Sequence, residues 1–354
     1  MDFASDNASG ASDKVMAALL NANKGFAPAY GADAVTKEAE ARLSALFERE
    51  CAVFLLATGT ASNALALASF TPPWGAIFCH QDAHVMDDEC GAPEFFTDGA
   101  KLVGLAGHHG KINAHAFEAA LEAYPRGLVK QVQPAMLTLS QATESGTLYS
   151  LNEIADFSAR AHDAGLAVHM DGARFANAIA ALDCTPAQMT WRAGVDVLSL
   201  GASKNGAIAC EAVVFFDPSR AHEFVYRRKR AGHTLSKSRF LAAQMNAWLE
   251  DDHWLDLARH ANACAAQLEA GLQQARARII WPRQVNEVFA VLPRAADAAL
   301  KEAGARYHEW PSRALSPVHA PREGELFVRL VCSFATGPVE IERFVAICAR
   351  LTKG

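Results

Sequence analysis

In Leu198-Ser199-Leu200-Gly201-Ala202-Ser203-Lys204-Asn205-Gly206 an apolar run ends in a turn of small residues with one lysine at its centre. The apolar part, Val195–Leu200, has the length and composition of a buried strand. Asp171 stands 33 residues before that lysine, in His169-Met170-Asp171-Gly172-Ala173-Arg174, and it too follows an apolar run, Leu166–Met170. Ligands of open α/β sheets gather outside the carboxyl ends of the strands. An amine and a carboxylate at two such ends therefore face a common crevice. Taken singly, neither residue compels this. A loop lysine is by default solvated, and an aspartate ahead of a helix, here Arg174–Leu182, by default caps it.

Outward from these two segments the same texture repeats. Cys51–Leu56, Ala76–His80, Lys101–Leu105, Ala135–Ser140 and Cys210–Phe216 read as further buried strands, separated by helical patterns such as Asn113–Tyr124 and Ser150–Ala164. The second helix opens on Ser150-Leu151-Asn152-Glu153, a capping box in which Ser and Glu each satisfy a free amide. Near-continuous apolar strands alternating with helices imply a mostly parallel sheet covered on both faces. From about Ser238 the texture changes. Ser238–Ala275 is one long helical pattern, with a break expected near Asp251-Asp252. Strands Arg278–Trp281 and Val288–Leu292, a helix Ala295–Ala303, a strand Phe327–Ser333 and a closing helix Val339–Leu351 follow. The expected organisation is an N-terminal arm and large α/β domain over residues 1–247, then a small C-terminal α+β domain over 248–354. A chain of 354 residues has room for two cores, since single cores stop growing near ~250–300 residues.

Composition narrows the partners. A net charge of −6 and a pI near 6.1 give no general attraction to nucleic acid or anionic membrane, so a small molecule is the expected partner. No apolar run is long enough to span a bilayer, and the N-terminus lacks the apolar core of a secretory signal. Eight cysteines stand singly, without a C-x-x-C pair. They read as reduced thiols in a reducing compartment, hence a cytoplasmic expectation. Asp87, Asp88, Glu89 and Cys90 are consecutive, and successive residues of a helix point to different sides, so no metal site is expected there.

A third segment, Thr58-Gly59-Thr60-Ala61-Ser62-Asn63, lies between a strand and a helix running to Phe70. Small residues there bare backbone amides, and a helix start adds positive potential, a combination that holds phosphate. By itself it also reads as an ordinary strand-to-helix turn. Neither G-x-G-x-x-G nor G-x-x-x-x-G-K-[ST] occurs, which argues against dinucleotides and nucleoside triphosphates. A phosphate turn, a strand-end aspartate and a strand-end lysine, in that order, match the three attachments of pyridoxal 5'-phosphate (PLP): phosphate, pyridine nitrogen and aldehyde.

Asp2-Phe3-Ala4-Ser5-Asp6-Asn7, Tyr30-Gly31, the Thr58–Asn63 turn, Ala83-His84, His169–Arg174 and Gly201–Gly206 together resemble the low-specificity L-threonine aldolases, from near residue 2 to past Arg329. The likeness is nearest to a bacterial subgroup that includes phenylserine-cleaving aldolases. It implies an α/β, PLP-dependent transferase fold (aspartate aminotransferase-like, fold type I) and retro-aldol cleavage of L-threonine, L-allo-threonine or related β-hydroxy-α-amino acids to glycine and an aldehyde. Position by position, the resemblance assigns Lys204 to the cofactor, Asp171 to the pyridine nitrogen, and Gly59 and Thr60 to the phosphate, with Arg174 also among the cofactor contacts. His84 would lie over the ring, where it or a water it orients takes the β-hydroxyl proton. Ser5, Arg174 and Arg329 would hold the substrate α-carboxylate, which a planar guanidinium fork can grip through two hydrogen bonds. The same likeness implies a homotetramer with active sites shared between subunits, and Lys237 as a phosphate contact from a neighbour.

Three positions depart from the pattern of the relatives. Ala4 replaces a common arginine, Thr143 stands where many have a second active-site histidine, and Ser236, with Lys237 beside it, occupies the usual site of a basic residue supplied by a neighbouring subunit. Proton transfer at the β-hydroxyl is the step this leaves open. β-Elimination or transamination would use the same lysine and aspartate, and a non-catalytic metabolite binder would keep the fold.

Overall fold

Val197, Leu198, Leu200, Val213 and Val214 have no solvent-exposed surface, so the strands that carry them are covered on both faces. In the computed structural model, which describes residues 1–311, 315 and 317–351, these strands belong to one seven-stranded sheet. Its members are β1 Ala52–Leu56, β2 Gly75–His80, β3 Lys101–Leu105, β4 Gln133–Ser140, β5 Ala167–Gly172, β6 Val197–Gly201 and β7 Glu211–Phe215. The order is β1-β7-β6-β5-β4-β2-β3. Strands β3, β2, β4, β5 and β6 run parallel, while β7 is antiparallel to both its neighbours. The seven expected strands are all present, with ends shifted by a residue or two.

The shift that matters is at β5, which runs on through Asp171 and Gly172. Register then places Asp171 opposite Ser140 on β4 and Ser199 on β6, a polar row at the carboxyl edge of the sheet. A one-residue slip would exchange Asp171 for Met170 and turn a carboxylate into the core, so the apolar faces specify this register strongly.

The capping box at Ser150 and Glu153 is formed in both directions. The long helical pattern is broken where expected, into Arg239–Leu249 and His253–Gln274. At the break Asp251 and Asp252 take φ values of 53° and 55°, a left-handed conformation that aspartate tolerates better than most residues. The second helix places Trp254 and Ala258 in the core under the large sheet, and Cys264, Leu268 and Leu272 in a second core.

That second core lies on a four-stranded antiparallel sheet: β8 Arg278–Ile279, β9 Glu287–Pro293, β10 His308–Glu309 and β11 Glu325–Val331, in the order β8-β9-β11-β10. The chain start belongs to it physically. Phe3 is fully buried there, its ring 5.2 Å from that of Phe344, and its backbone N–H donates to Arg306 O at 2.8 Å. The arm read with the large domain is thus anchored on the small one, and it carries residues 5–7 to the large sheet's edge.

Candidate active site

Two glycines bring the chemistry together. A Cβ on Gly201 would come within 2.7 Å of Ala173 O, and one on Gly172 within 2.8 Å of Ser199 O. Only without side chains can the turns after β5 and β6 touch backbone to backbone. The result is one cavity of about 370 Å³ whose wall includes Gly59, Thr60, His84, Asp171, Arg174 and Lys204. Cavities of roughly 300–1,000 Å³ suit small organic ligands.

Asp171 forms the floor. Its Oδ2 accepts from Asn63 Nδ2 at 2.8 Å and its Oδ1 from the Ala173 N–H at 3.0 Å. The following helix, Phe175–Leu182, has no side-chain cap, so Asp171 serves the cavity and not the helix. The Asn63 amide also donates to Glu89 Oε1 at 2.8 Å, and the same oxygen meets His84 Nδ1 at 2.9 Å. Asp171, Asn63, Glu89 and His84 are therefore one linked chain. Glu89 is buried while its neighbours Asp87 and Asp88 are exposed. The bond to Glu89 outweighs burial and holds the His84 pKa above its ordinary value, helped by the charge of Asp171.

At the helix start the Thr58 hydroxyl accepts from Ala61 N at 3.2 Å, and the amides of Gly59 and Thr60 lie in the first turn, where no intrahelical partner exists. A Cβ on Gly59 would meet nothing within 4 Å, so this helix end opens onto free space.

Lys204 sits in a short turn, Ser203–Asn205, braced on both sides. Asn205 donates to Trp254 O and accepts from Trp248 Nε1, both at 2.8 Å. Glu211 Oε2 accepts from Ala202 N at 3.2 Å. Burial pushes the Glu211 carboxyl up to about 7, against the pull of Ser203 and Lys204. The Lys204 amine itself makes no hydrogen bond or ion pair among the described residues. His169 lies beneath this floor and not on the wall. It is fully buried, with Nε2 2.9 Å from Ser199 Oγ, and burial pulls its pKa down to about 4, leaving a neutral ring.

The other predicted residues are placed differently. Arg174 is on the wall, but its fork is already matched by Asp6: Nε to Oδ2 at 2.8 Å and Nη2 to Oδ1 at 3.1 Å. Glu287 adds an ion pair at 3.3 Å. Arg329 is off the wall, with Cζ 4.2 Å over the Trp310 ring. Burial lowers its pKa, and Glu287 is the largest charge opposing that. Ser5 Oγ accepts from Asn7 N at 3.1 Å, and Asn7, not Ser5, reaches the cavity. Lys237 is exposed and away from this cavity.

Thr143 also turns elsewhere. It is fully buried, with Oγ1 2.8 Å from Thr147 Oγ1 and donating to His109 O at 3.2 Å. From that segment Ser140, Ala142 and Glu144 are on the wall, and Glu144 Oε1 accepts from Ser140 Oγ at 2.8 Å and from the His84 N–H at 2.9 Å. Sequence reading passed over Asn63, Glu89, Glu144 and Glu211. Asn63 was visible only as the end of the phosphate turn, Glu89 only within a run of acids, and Glu144 and Glu211 only as polar residues beside apolar segments.

The sequence model of the beta-eliminating lyase family matches residues 2–295 of this chain. A low specificity L-threonine aldolase from Pseudomonas aeruginosa is 42% identical, across 99% of this chain and 98% of its own. This chain belongs to the low-specificity L-threonine aldolase family. A second such aldolase, from a Pseudomonas species, is 43% identical across 86% and 88% of the two chains. The threonine aldolase structure from Leishmania major superposes with a TM-score of 0.91 at 28% identity, covering 99% of each chain. The architecture is thus the aspartate aminotransferase-like, type I fold, shared along the full length of a threonine aldolase.

The residues of this aldolase cavity fit PLP. At Lys204 an amine without a hydrogen bond or ion pair among the described residues lines the cavity, as an aldehyde-bearing cofactor requires. The carboxylate of Asp171 is bonded once on each oxygen and keeps acceptor capacity for a ring N–H. The open helix end at Gly59 and Thr60 offers amides to a phosphate. The charges of Asp171 and Lys204 both act on His84, which places all three groups around one space.

Proposed function

We propose that this chain is a PLP-dependent carbon–carbon lyase that cleaves L-threonine, L-allo-threonine and related β-hydroxy-α-amino acids, phenylserine among them, to glycine and an aldehyde. One observation carries the reading: an unpartnered Lys204, an Asp171 oriented by Asn63, and a bare helix end at Gly59–Thr60 share one cavity in a chain of this family.

When bound, PLP supplies an electron sink for the pair released at Cα. Lys204 would hold its aldehyde carbon, Asp171 its ring nitrogen, and the amides of Gly59 and Thr60 its phosphate. His84, fixed by Glu89, would lie against the ring. Arg174, Arg329 and Ser5 are assigned to the substrate α-carboxylate. Arg174 supports this from the wall, while Arg329 and Ser5 would act from just behind it. Such a grip fixes which bond at Cα is presented for cleavage, and orientation of this kind selects among reactions with a common cofactor. Lys237, exposed on its own protomer, is assigned to the phosphate of a neighbouring subunit in a homotetramer. Division of the chain near residue 247 and a cytoplasmic location belong to the same proposal, with no nucleic-acid partner. No helix among the described residues is long and apolar enough to cross a membrane.

The test is Lys204→Ala. The PLP-loaded variant should lose the visible absorption band of the lysine-bound cofactor and release no aldehyde from threonine, allo-threonine or phenylserine. Turnover at the wild-type rate would defeat the assignment. Product analysis of the wild type should find acetaldehyde and glycine from threonine; a keto acid and ammonia would point to β-elimination.

A further inference from the structure

Three carboxyl groups line the cavity: Asp171, Glu211 and Glu144. Asp171 is bonded at both oxygens, and Glu211 is occupied by the turn that carries Lys204. Glu144 is different. Its Oε1 is pinned by Ser140 and the His84 amide, while its Oε2 is shut off from water and has no hydrogen-bond partner. A desolvated carboxylate oxygen without a donor is costly, so such a group readily takes up a proton. Burial accordingly pushes Glu144 up to about 7, with the charge of Asp171 adding to it and the bonds from His84 and Ser140 opposing it. The other groups whose charge couples to it are Arg174, Cys79 and Tyr149.

His84 is the competing base: its Nδ1 is committed to Glu89, which leaves Nε2 as the nitrogen that could take a proton.

We infer that the Glu144 carboxylate, on the cavity wall beside His84, is the general base that takes the β-hydroxyl proton of the substrate. This rests on the aldolase reading above. As the Glu144 carboxylate takes the proton, the O–H electron pair becomes the second bond of the aldehyde carbonyl, and the Cα–Cβ bond breaks with its pair left at Cα. One proton added at Cα completes glycine, and Glu144 returns its proton to solvent, so no oxidant or other reactant is consumed. Glu144 is thereby a catalytic residue, and Ser140 a positioning residue that aims it.

The experiment compares PLP-loaded wild type, Glu144→Gln, Glu144→Asp and His84→Phe. General-base removal typically costs about 10²–10⁴-fold in rate, and Glu144→Gln should lose that much in kcat for acetaldehyde release with KM little changed. Glu144→Asp should recover part of it. Exchange of the glycine α-hydrogen in D₂O needs the cofactor site but no β-hydroxyl, so it should proceed in Glu144→Gln as in wild type. The acidic limb of kcat/KM near pH 7 should persist in His84→Phe and vanish in Glu144→Gln. In substrate-free protein, the infrared carboxyl absorption titrating near pH 7 has contributions from Glu144 and Glu211, and of the variants compared Glu144→Gln should lose the first while keeping the second, a readout that needs no turnover. Unchanged aldehyde release by Glu144→Gln, or a pH limb that follows His84, would overturn the assignment. A wild type that exchanges glycine yet cleaves no hydroxyamino acid would instead overturn the aldolase reading.

Discussion

The two sides of the cavity are built on different principles. The floor consists of Asp171, Lys204 and the 59–60 helix end, each at the end of a strand or in the turn after it, with partners from adjacent strands or neighbouring turns. The other side consists of Arg174 on the cavity wall and the cluster behind it, Asp6, Glu287 and Arg329; the four come from separate segments and hold together by charge. Asp6 is 2% exposed and grips the Arg174 fork, while Asn286 adds a hydrogen bond at 3.1 Å. Glu287 is buried beside both arginines with an ion pair to Arg174 but no hydrogen bond. The floor is therefore organised before any ligand arrives, because backbone register enforces it. The wall is a balanced set of two acids and two guanidiniums, into which a substrate carboxylate must bring a further negative charge.

The largest effect that would sharpen this contrast is on the wall. Removing one partner of a buried ion pair typically costs about 3–5 kcal/mol, because the other charge stays buried. Asp6→Ala should lose stability of that order in urea unfolding and loosen the N-terminal arm. A loss below about 1 kcal/mol, the value of a surface pair, would mean that the wall does not depend on this contact. On the floor, Gly201→Ala forces a methyl group against the Ala173 backbone. Overpacking of this kind costs roughly 1–3 kcal/mol, and PLP affinity should fall with it, since the displaced turn carries Lys204. An alanine variant with unchanged stability and cofactor affinity would show that the two turns have slack.

A smaller effect separates the two sides by pH. Burial alone would raise the Asp6 pKa, but Arg174 and Lys204 bring it below the usual 3.8. Its contribution to stability is complete above that value and is lost as pH falls through the folded one. Glu211 behaves oppositely. Its pKa rises from 4.5 to about 7, so the folded chain keeps a proton that the unfolded chain has released. Stability then falls as pH climbs through that window. Glu211→Gln should reduce the neutral slope, to which Glu144 also contributes, and Asp6→Asn the acid one. Exchanged signatures, measured by thermal unfolding from pH 3 to 8, would refute the contrast.

The floor was largely legible in the sequence and the wall was not. Strand lengths, the Ser150 capping box and the break at Asp251-Asp252 all follow from backbone sterics and local hydrogen bonding. Lys204, Asp171 and the Gly59–Thr60 turn shared a recognisable position relative to their strands. On the wall, Arg174 and Asp6 lie 168 residues apart, and no local pattern announces their pairing. Arg329 and Ser5 were matched by position, yet their side chains lie behind the cavity surface. Glu89 was visible only as one of several consecutive acids. Thr143 and Glu144 differ by one step along a turn, and that step decides which side chain faces the cavity.

By itself the sequence determined which segments become strands and helices, which turns stay small enough for a ligand, and which family the chain resembles. These depend on steric and capping effects within a few residues. Tertiary structure alone decided the company each polar group keeps: Asp6 on Arg174, Asn63 between Asp171 and Glu89, Glu144 under Ser140 and the His84 amide. Such pairings follow from sheet register and from two cores docking side by side. A buried charge takes whatever partner folding brings within reach, and that distance is not written in any single stretch of chain.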